Sequence, residues 1–283
     1  MDATAGPAAI PASDATPLVY RHSVTTRVTH WLFAAAFVVL VMSGLQIFNA
    51  SPNLDASDKS NPARRVLAID GGTDSAGRPV GMVQFFGLHL TTTHLLGFTD
   101  DGQGGESARA FPGWITWPGY QDLASGRRWH LFFGWMMVLL GAAYFVAGIR
   151  RHDLEKIVLR PSDLPKLLPM QLYYLKLRKE PPEHGKYNPL QKVAYTTVLF
   201  VFTPLIVISG LALAPGMDAI ASPLTAVLGG RQFARLWHFL AMIGLIGFVF
   251  VHMTLVLSTG VVNNIRSMFT GRYKLGPHEG TGQ

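Results

Sequence analysis

Two histidines lie in one apolar stretch of this chain, residues 235–260, on the same face of a predicted helix. His238 and His252 are fourteen residues apart, which brings the second ring to within about 40° of the first around the helix. The two rings are then roughly 21 Å apart along the axis, within a hydrocarbon core about 30 Å thick. Because ionisable side chains at membrane depth are costly, the pattern indicates two sites at two depths.

The composition supports a membrane protein. The chain has 283 residues, of which 49% are hydrophobic and 14% charged, whereas about a quarter of a soluble domain is charged. There is no cysteine, which excludes disulfides, thiolate zinc sites and iron–sulfur clusters. The net charge of +7 is attributed to Lys and Arg in cytoplasmic loops and not to nucleic-acid binding.

Four apolar stretches predict an all-α integral membrane protein built as a four-transmembrane-helix bundle. The expected bundle domain occupies residues 21–275, between a mobile tail (1–20) and a second tail (276–283). Residues 51–120 are rich in Gly, Pro, Asp and Ser and are expected to form a long irregular loop between the first two helices. The expected spans are residues 23–50, 121–150, 192–214 and 234–260.

The distribution of basic residues predicts the orientation of the bundle. With four spans, both termini lie on one side, and fifteen of the 24 Lys and Arg residues flank the helix ends of that side. The positive-inside rule therefore predicts cytoplasmic termini and a periplasmic loop 51–120. The expected location is the inner membrane of a bacterium.

This topology groups four histidines by depth. It places His30 with His252 near the cytoplasmic side and His130 with His238 near the outer side. Two imidazoles from facing helices are the usual axial ligands of a low-spin haem iron, which exchanges single electrons. Zinc is disfavoured because each level offers two imidazoles and no nearby carboxylate or thiolate. We therefore expect two b-type haems, although any one of these rings alone could equally be a hydrogen-bonded or snorkelling side chain.

Small and basic residues supply the remaining parts of such sites. Gly44, Gly134 and Gly210 leave room between helices for a flat cofactor. Arg27 on the inner side and Arg128 on the outer side are candidate partners of the haem propionates. Anchoring of these two arginines to lipid phosphates is an equally good interpretation.

A short internal repeat suggests two helical hairpins of the same orientation. The first span contains VMSGLQIF and the third contains VISGLALA, while the second begins RWHLFFGW and the fourth contains LWHFLAMI. Duplication of a hairpin and chance similarity both remain open for matches of this length.

The sequence resembles the di-haem membrane cytochrome b family. The resemblance rests on RVTHW at residues 27–31, Trp-His at 129–130 and the His238-x13-His252 spacing. It extends over about residues 20–275, and the family includes the gamma subunit of formate dehydrogenase and the cytochrome b subunits of nickel–iron hydrogenases and thiosulfate reductases. The long outer loop is most similar to the thiosulfate-reductase-type branch. That branch implies a periplasmic redox partner that contains molybdopterin.

The resemblance also implies a quinone site. The Tyr-Asn-x-x-Gln-Lys run of the formate dehydrogenase subunit matches residues 187–192 here, so Asn188, Gln191 and Lys192 are the implied quinone-binding residues. An ordinary helix start, with Asn188 as N-cap and Pro189 at the first helical position, explains the same residues. One residue can serve both purposes.

The resulting hypothesis is a membrane-anchoring subunit that transfers electrons between the periplasmic partner and the quinone pool of the lipid bilayer. A second hypothesis is a stand-alone di-haem oxidoreductase, such as a superoxide-to-quinone enzyme. A third is a transporter or scaffold that binds no haem.

Overall fold

Four helices dominate the fold, which a computed structural model describes for residues 18–150, 152, 154–185, 187–220, 222–258 and 260–274. Residues 1–17 and the predicted tail 276–283 lie outside this part of the chain. Within these residues, four helices are long and apolar enough to cross a membrane, and each lies at one of the four predicted spans. These are Val24–Phe48, Leu123–Arg150, Pro189–Leu213 and Arg231–Ser258.

Helices and strands are numbered here in chain order over the described residues. The helices are α1 (Val24–Phe48), α2 (Leu123–Arg150), α3 (Leu154–Ile157), α4 (Leu167–Tyr174), α5 (Pro189–Thr197), α6 (Thr203–Leu213), α7 (Met217–Ile220), α8 (Ser222–Val227), α9 (Arg231–Ser258) and α10 (Val261–Thr270). The strands are β1 (Leu18–Tyr20), β2 (Asn53–Asp55), β3 (Arg65–Thr73), β4 (Pro79–Phe85), β5 (Leu88–Thr91), β6 (Gly97–Asp100), β7 (Glu106–Arg109) and β8 (Arg272–Lys274).

The third span is one long helix with an irregular centre. Its two α-helical parts, α5 and α6, are joined by a π-helical segment, Val198–Phe202. The cause is Pro204, which has no backbone N–H and whose ring crowds the carbonyl four residues earlier. Widening the turn by one residue relieves that conflict without ending the helix.

The chain forms two compact units, residues 32–251 and residues 1–31 with 252–283. Within the larger unit the spans pack through aromatic side chains. Phe48 of α1 lies 5.3 Å from Phe239 of α9, measured between ring centroids. Tyr195 of α5 lies 6.4 Å from Phe248 of α9 by the same measure. The fourth span therefore contacts both the first and the third.

The expectation of an irregular loop, and with it of an all-α chain, is wrong for residues 51–120. This segment forms a four-stranded antiparallel sheet of order β2-β3-β4-β5 and a separate β6–β7 hairpin. The apolar stretches of β3 and β4 are too short to span a membrane, but strands of nine and seven residues are long enough to pair. Their connection is a tight turn, in which Asp74 accepts hydrogen bonds from the backbone N–H groups of Ala76 and Arg78.

A small apolar core lies between this sheet and the adjoining helix ends. Its buried members are Phe48, Leu54, Ile69, Ala110 and Leu236. Phe48 ends α1 and Leu236 lies in the second turn of α9. Residues 51–120, called the outer segment below, are therefore packed directly onto the helix bundle of their own unit.

Arg109 is a buried polar link between residues 51–120 and α1. Its side chain is nearly fully buried, with 5% of the residue exposed. One terminal nitrogen donates to Gln46 Oε1 at 3.2 Å and to Thr116 Oγ1 at 3.0 Å. The other donates to the carbonyls of Asp101 and Gly119, both at 2.9 Å. A single guanidinium therefore ties the hairpin and the approach to α2 onto the first span.

We expect Arg109→Met to loosen the outer segment while the bundle stays folded. The buried acceptors around it would lose their charged donor, which costs about 3 kcal/mol. Limited proteolysis should then cut within residues 51–120 at much lower protease concentration. The control is Arg78→Met, because the Arg78 side chain is 79% exposed and such a surface pair contributes less than about 1 kcal/mol. Equal protease resistance of the two variants would contradict the anchoring role.

The smaller unit holds a two-stranded sheet and a short helix. Strand β1 pairs antiparallel with β8, with Val19 opposite Tyr273. The three residues of β1 belong to the segment predicted as a mobile tail, 1–20. Helix α10 lies between α9 and β8 in the chain and begins after Gly260, whose φ of +97° is in the left-handed region that favours glycine.

Candidate functional site

Two pairs of histidine rings face each other in the structure, and they are the pairs that the predicted topology grouped by depth. In the larger unit, His130 of α2 and His238 of α9 have ring centroids 6.0 Å apart. In the smaller unit, His30 of α1 and His252 of α9 have ring centroids 6.4 Å apart. We call these the outer pair and the inner pair.

These separations suit one metal ion between two imidazoles. Two imidazoles that held one ion through nitrogen–metal bonds of about 2 Å would have ring centroids about 6.2 Å apart, if both coordinating nitrogens pointed at the ion. Both observed distances agree with this value. Among the described residues no group of three His, Cys, Asp or Glu side chains could hold a metal, and a haem iron would need only two protein ligands.

His130 of the outer pair is fixed by two neighbours on α1. Its Nδ1 lies 3.1 Å from the carbonyl of Leu40 and 3.1 Å from Ser43 Oγ. The Ser43 hydroxyl donates its own hydrogen to the carbonyl of Val39 at 2.6 Å, so it presents a lone pair to the ring. Both neighbours are then acceptors, and the proton must lie on Nδ1. This leaves the Nε2 lone pair for a metal, which is the arrangement typical of ligating histidines.

The second half of the chain repeats this arrangement. Nδ1 of His238 lies 3.0 Å from Ser209 Oγ and also bonds the carbonyl of Ile206. The Ser209 hydroxyl donates to the carbonyl of Leu205 at 2.5 Å. Ser43 and Ser209 therefore make equivalent contacts with His130 and His238, one in each helical hairpin. This equivalence supports the internal repeat.

Two of the predicted cofactor glycines, Gly44 and Gly210, pack against the histidine rings of the outer pair. A Cβ at Gly44 would lie 3.3 Å from Cε1 of His130, and a Cβ at Gly210 would lie 3.2 Å from Cε1 of His238. Both distances are tighter than ordinary van der Waals contact. These glycines therefore let the Cε1 edge of each imidazole approach the neighbouring helix closely, whereas a Cβ at Gly134 would meet Leu40 only at 4.0 Å.

The inner pair is held differently. His30 Nδ1 is buried with no hydrogen-bond partner among the described residues. Its ring packs edge-on against Trp31, with centroids 5.2 Å apart. Trp31 is in turn fixed by stacking on Phe269 and by donating its indole N–H to the carbonyl of Met268 at 3.2 Å. His30 is thus positioned by aromatic packing, and its Nδ1 finds no partner in the part of the protein that the structure describes.

The two predicted propionate partners have different surroundings. Arg27 donates from Nη1 to the carbonyl of Phe269, and its Nε is buried without a partner among the described residues. Arg128 donates to Ser125 Oγ at 2.8 Å at the exposed start of α2. Arg27 therefore has a buried donor to offer an anion beside the inner pair, whereas the placement of Arg128 suits a lipid phosphate equally well.

The predicted quinone residues lie together at the start of α5, where two of them form a cap. Asn188 Oδ1 accepts from the Gln191 backbone N–H at 2.9 Å, and the Asn188 backbone N–H donates to Gln191 Oε1 at 3.1 Å. This reciprocal pair is a capping box. Asn188 Nδ2 also donates to the Tyr174 hydroxyl at 3.1 Å. The structure therefore contains the helix start that the sequence offered as one of two interpretations.

Lys192 forms an ion pair with a residue that sequence reasoning did not identify. Its Nζ lies 2.9 Å from Asp163 Oδ2, and both side chains are largely buried. The Arg160 backbone N–H and the Lys192 ammonium lower the pKa of the Asp163 carboxyl below its usual range. The ion pair therefore contributes stability above the carboxyl's ordinary pKa, and this contribution is lost as the pH falls through the lowered value. Nothing in the sequence pattern links residues 29 positions apart.

Comparison with known proteins agrees with this geometry. Residues 21–271 match the model of a family described as prokaryotic cytochrome b561. A curated relative from Azospira oryzae is 29% identical over 238 residues, and the alignment covers 83% of this chain and 89% of that protein. The relative is named "Putative protein-methionine-sulfoxide reductase subunit YedZ1".

Proposed function

Because the chain belongs to the prokaryotic cytochrome b561 family of membrane haem proteins, we propose that it is the di-haem membrane subunit of a two-component oxidoreductase. In this proposal, it transfers electrons between a redox partner on the periplasmic side and quinone in the bacterial inner membrane. Both termini face the cytoplasm, as the distribution of Lys and Arg indicates.

The observation that carries the proposal is the two facing pairs of histidine rings. Their ring centroids are 6.0 Å apart in the outer pair and 6.4 Å apart in the inner pair. A haem iron with both axial positions filled supplies one-electron transfer and no open site for oxygen. His130 and His238 would hold one haem, with their Nε2 atoms presented by the serine and carbonyl contacts of Nδ1. His30 and His252 would hold the other, with Arg27 near its propionates.

A reduced-minus-oxidised absorbance spectrum of the purified chain tests this proposal. We expect b-type bands and a haem-to-protein ratio of about two. A ratio of about one would restrict the proposal to a single site. The absence of b-type bands after expression with added haem precursor would favour a haem-free transporter or scaffold instead.

The partner proposal rests on the outer segment and on the named relative. The sheet of residues 51–120 is packed on the bundle and offers a large folded surface for docking. Since the relative is named as a subunit of a methionine-sulfoxide reductase, we propose a soluble periplasmic reductase of oxidised sulfur compounds, with a molybdopterin cofactor, as the partner. Co-purification of such a subunit with the intact chain, and its loss after replacement of the sheet by a short linker, would support this assignment. Quinone reduction without any partner would favour a stand-alone oxidoreductase.

The quinone proposal assigns electron exchange with the pool to the start of α5. Asn188 carries an amide that can bond a quinone oxygen in addition to its capping role, and Lys192 is an adjacent cation.

Substitutions at Asn188 can separate the capping role from the quinone-binding role. Asn188→Ala removes the cap and should cost about 1 kcal/mol of stability. Asn188→Asp keeps the capping oxygen but removes the amide donor, so stability should stay near that of the unsubstituted chain.

If Asn188 binds quinone, the two variants should agree in turnover even though they differ in stability. We expect both to lower quinone reduction about tenfold, the effect of losing one hydrogen bond of about 1.4 kcal/mol, with unchanged haem spectra. The matched control is Tyr174→Phe, which removes the protein partner of the Asn188 amide but leaves the amide itself. Normal turnover in Asn188→Asp would show that Asn188 is a cap alone.

A further inference from the structure

Helix α10 carries an uncovered apolar stripe. Val262, Ile265 and Phe269 are 77%, 43% and 62% exposed. Their positions, i, i+3 and i+7, place them on one face of the helix. We propose that this stripe lies in the bilayer boundary as an interfacial helix, and that the basic residues around it bind the phosphates of anionic phospholipids.

The other face of α10 is fixed to its own unit, which holds the stripe outward. Ser267 is buried. Asn264 Nδ2 donates to the carbonyl of Val256 at 3.3 Å, near the C-terminal end of α9. Asn263 bonds both the backbone N–H and the carbonyl of Lys274, at 2.9 and 2.7 Å. These contacts leave the helix little freedom to rotate about its own axis.

The connection to α9 argues for lipid as the occupant. Helix α9 ends at Ser258 and α10 begins at Val261, with the left-handed Gly260 between them. A helix so close to the end of a membrane-spanning helix must lie at the membrane surface. The last turns of α9 also expose apolar side chains, among them Leu257 at 59%. The stripe therefore continues the lipid-facing surface of a span.

The charge of the described part of this unit matches an anionic surface. Residues 18–31 and 252–274 contain five Arg and Lys residues and no Asp or Glu. Arg272 and Lys274 are exposed on β8, and Arg21 lies over the Tyr273 ring with its guanidinium carbon 4.4 Å from the centroid. Arg266 belongs to α10 itself. Basic residues beside an apolar stripe are the usual composition of helices that bind anionic lipid.

Binding of α10 to lipid would also stabilise the surroundings of the inner pair. Phe269, the last residue of the stripe, stacks on Trp31 with centroids 4.8 Å apart. Its carbonyl accepts from Arg27. Since Trp31 packs against His30, lipid that holds α10 in place would steady the first turns of α1 around an inner ligand.

The absence of cysteine from the chain allows a direct test. Single-cysteine variants Val262→Cys and Ile265→Cys, with Glu180→Cys as an exposed reference, would be placed in nanodiscs of phosphatidylglycerol or of phosphatidylcholine. We expect a membrane-impermeant maleimide to label both stripe positions about tenfold more slowly than the reference in phosphatidylglycerol. A fluorophore at either stripe position should be quenched by lipids brominated on their acyl chains.

Charge variants test the choice of lipid. Combining each stripe cysteine with Arg266→Gln, Arg272→Gln and Lys274→Gln should bring the labelling rate in phosphatidylglycerol to the value in phosphatidylcholine. Labelling as fast as at Glu180 would overturn the proposal. Slow labelling without quenching by brominated lipid would also overturn it, because a second copy of the chain or another protein would then cover the stripe. The test does not depend on haem content.

Discussion

Replacing His238 with alanine should remove one haem and leave the other bound. The haem-to-protein ratio is expected to fall from about two to about one, because the iron between His130 and His238 would lose an axial ligand, whereas His30 and His252 belong to the other pair. The measurement is haem extraction together with redox titration of the remaining b-type band.

The decisive form of this experiment uses pairs of substitutions. His130→Ala with His238→Ala should lose no more haem than either change alone, because both act on one site. His238→Ala with His252→Ala should lose both haems, because the changes act on different sites. Haem losses that do not add within one pair but do add between the two pairs would show which histidines share a site. The reverse pattern would contradict the assignment of ligands to pairs.

A suitable control is His89→Ala, since His89 is exposed on the edge strand β5. It should keep the full haem content. Each variant must also retain its elution volume and helical circular dichroism, so that collapse of the bundle is distinguished from loss of a ligand. Loss of both haems in a well-folded His238→Ala variant would count against independent sites.

The sequence contained enough to predict the spans and the grouping of the histidines, because both depend on simple periods. A run of apolar residues about 20 long specifies a membrane span, and a fourteen-residue spacing specifies one face of a helix. Topology then groups His130 with His238 and His30 with His252, and the structure brings those rings together. The predicted membership in a cytochrome b family is confirmed by the family match over residues 21–271.

Features that depend on distant contacts were not predictable in the same way. The strands β3 and β4 pair with each other across a turn. Some of their apolar side chains pack in a core that also contains Phe48 and Leu236. Read alone, such short stretches have no period long enough to distinguish a strand from an irregular loop. The partnership of Lys192 with Asp163 likewise requires the segment before α5 to fold back onto it.

The hydrogen-bonded serines lie between these two cases. Ser43 and Ser209 each precede a glycine in the matched segments VMSGLQIF and VISGLALA, and these matches are short enough to arise by duplication or by chance. What the repeat did not reveal is that each serine contacts the ring of the histidine in its own hairpin. A repeat that conserves a polar residue on one helix and a histidine on its neighbour is the signal that would have found this contact.

The second large effect is expected at Gly210. A glycine inside a helix lowers stability by roughly 0.5–1 kcal/mol relative to alanine, so Gly210→Ala should stabilise the helix if the position had no other role. Here the added Cβ would lie 3.2 Å from Cε1 of His238 and would push the ring by a few tenths of an ångström. We therefore expect Gly210→Ala to raise the unfolding free energy of the apo-protein slightly and, in the opposite direction, to weaken haem retention at the outer pair.

Gly210→Val should enlarge the effect on haem binding, because its two methyl groups occupy the space of the ring and are held in one rotamer in a helix. The matched control is Gly247→Ala and Gly247→Val. Gly247 is also in a span, a Cβ there would meet nothing within 4 Å, and it lies nine residues after His238, which is about 180° around α9. Gly44 facing His130 should repeat the behaviour of Gly210. If the substitutions at Gly210 and Gly247 lower haem content equally, the glycines act through general helix packing, and the close approach to the imidazoles has no specific role.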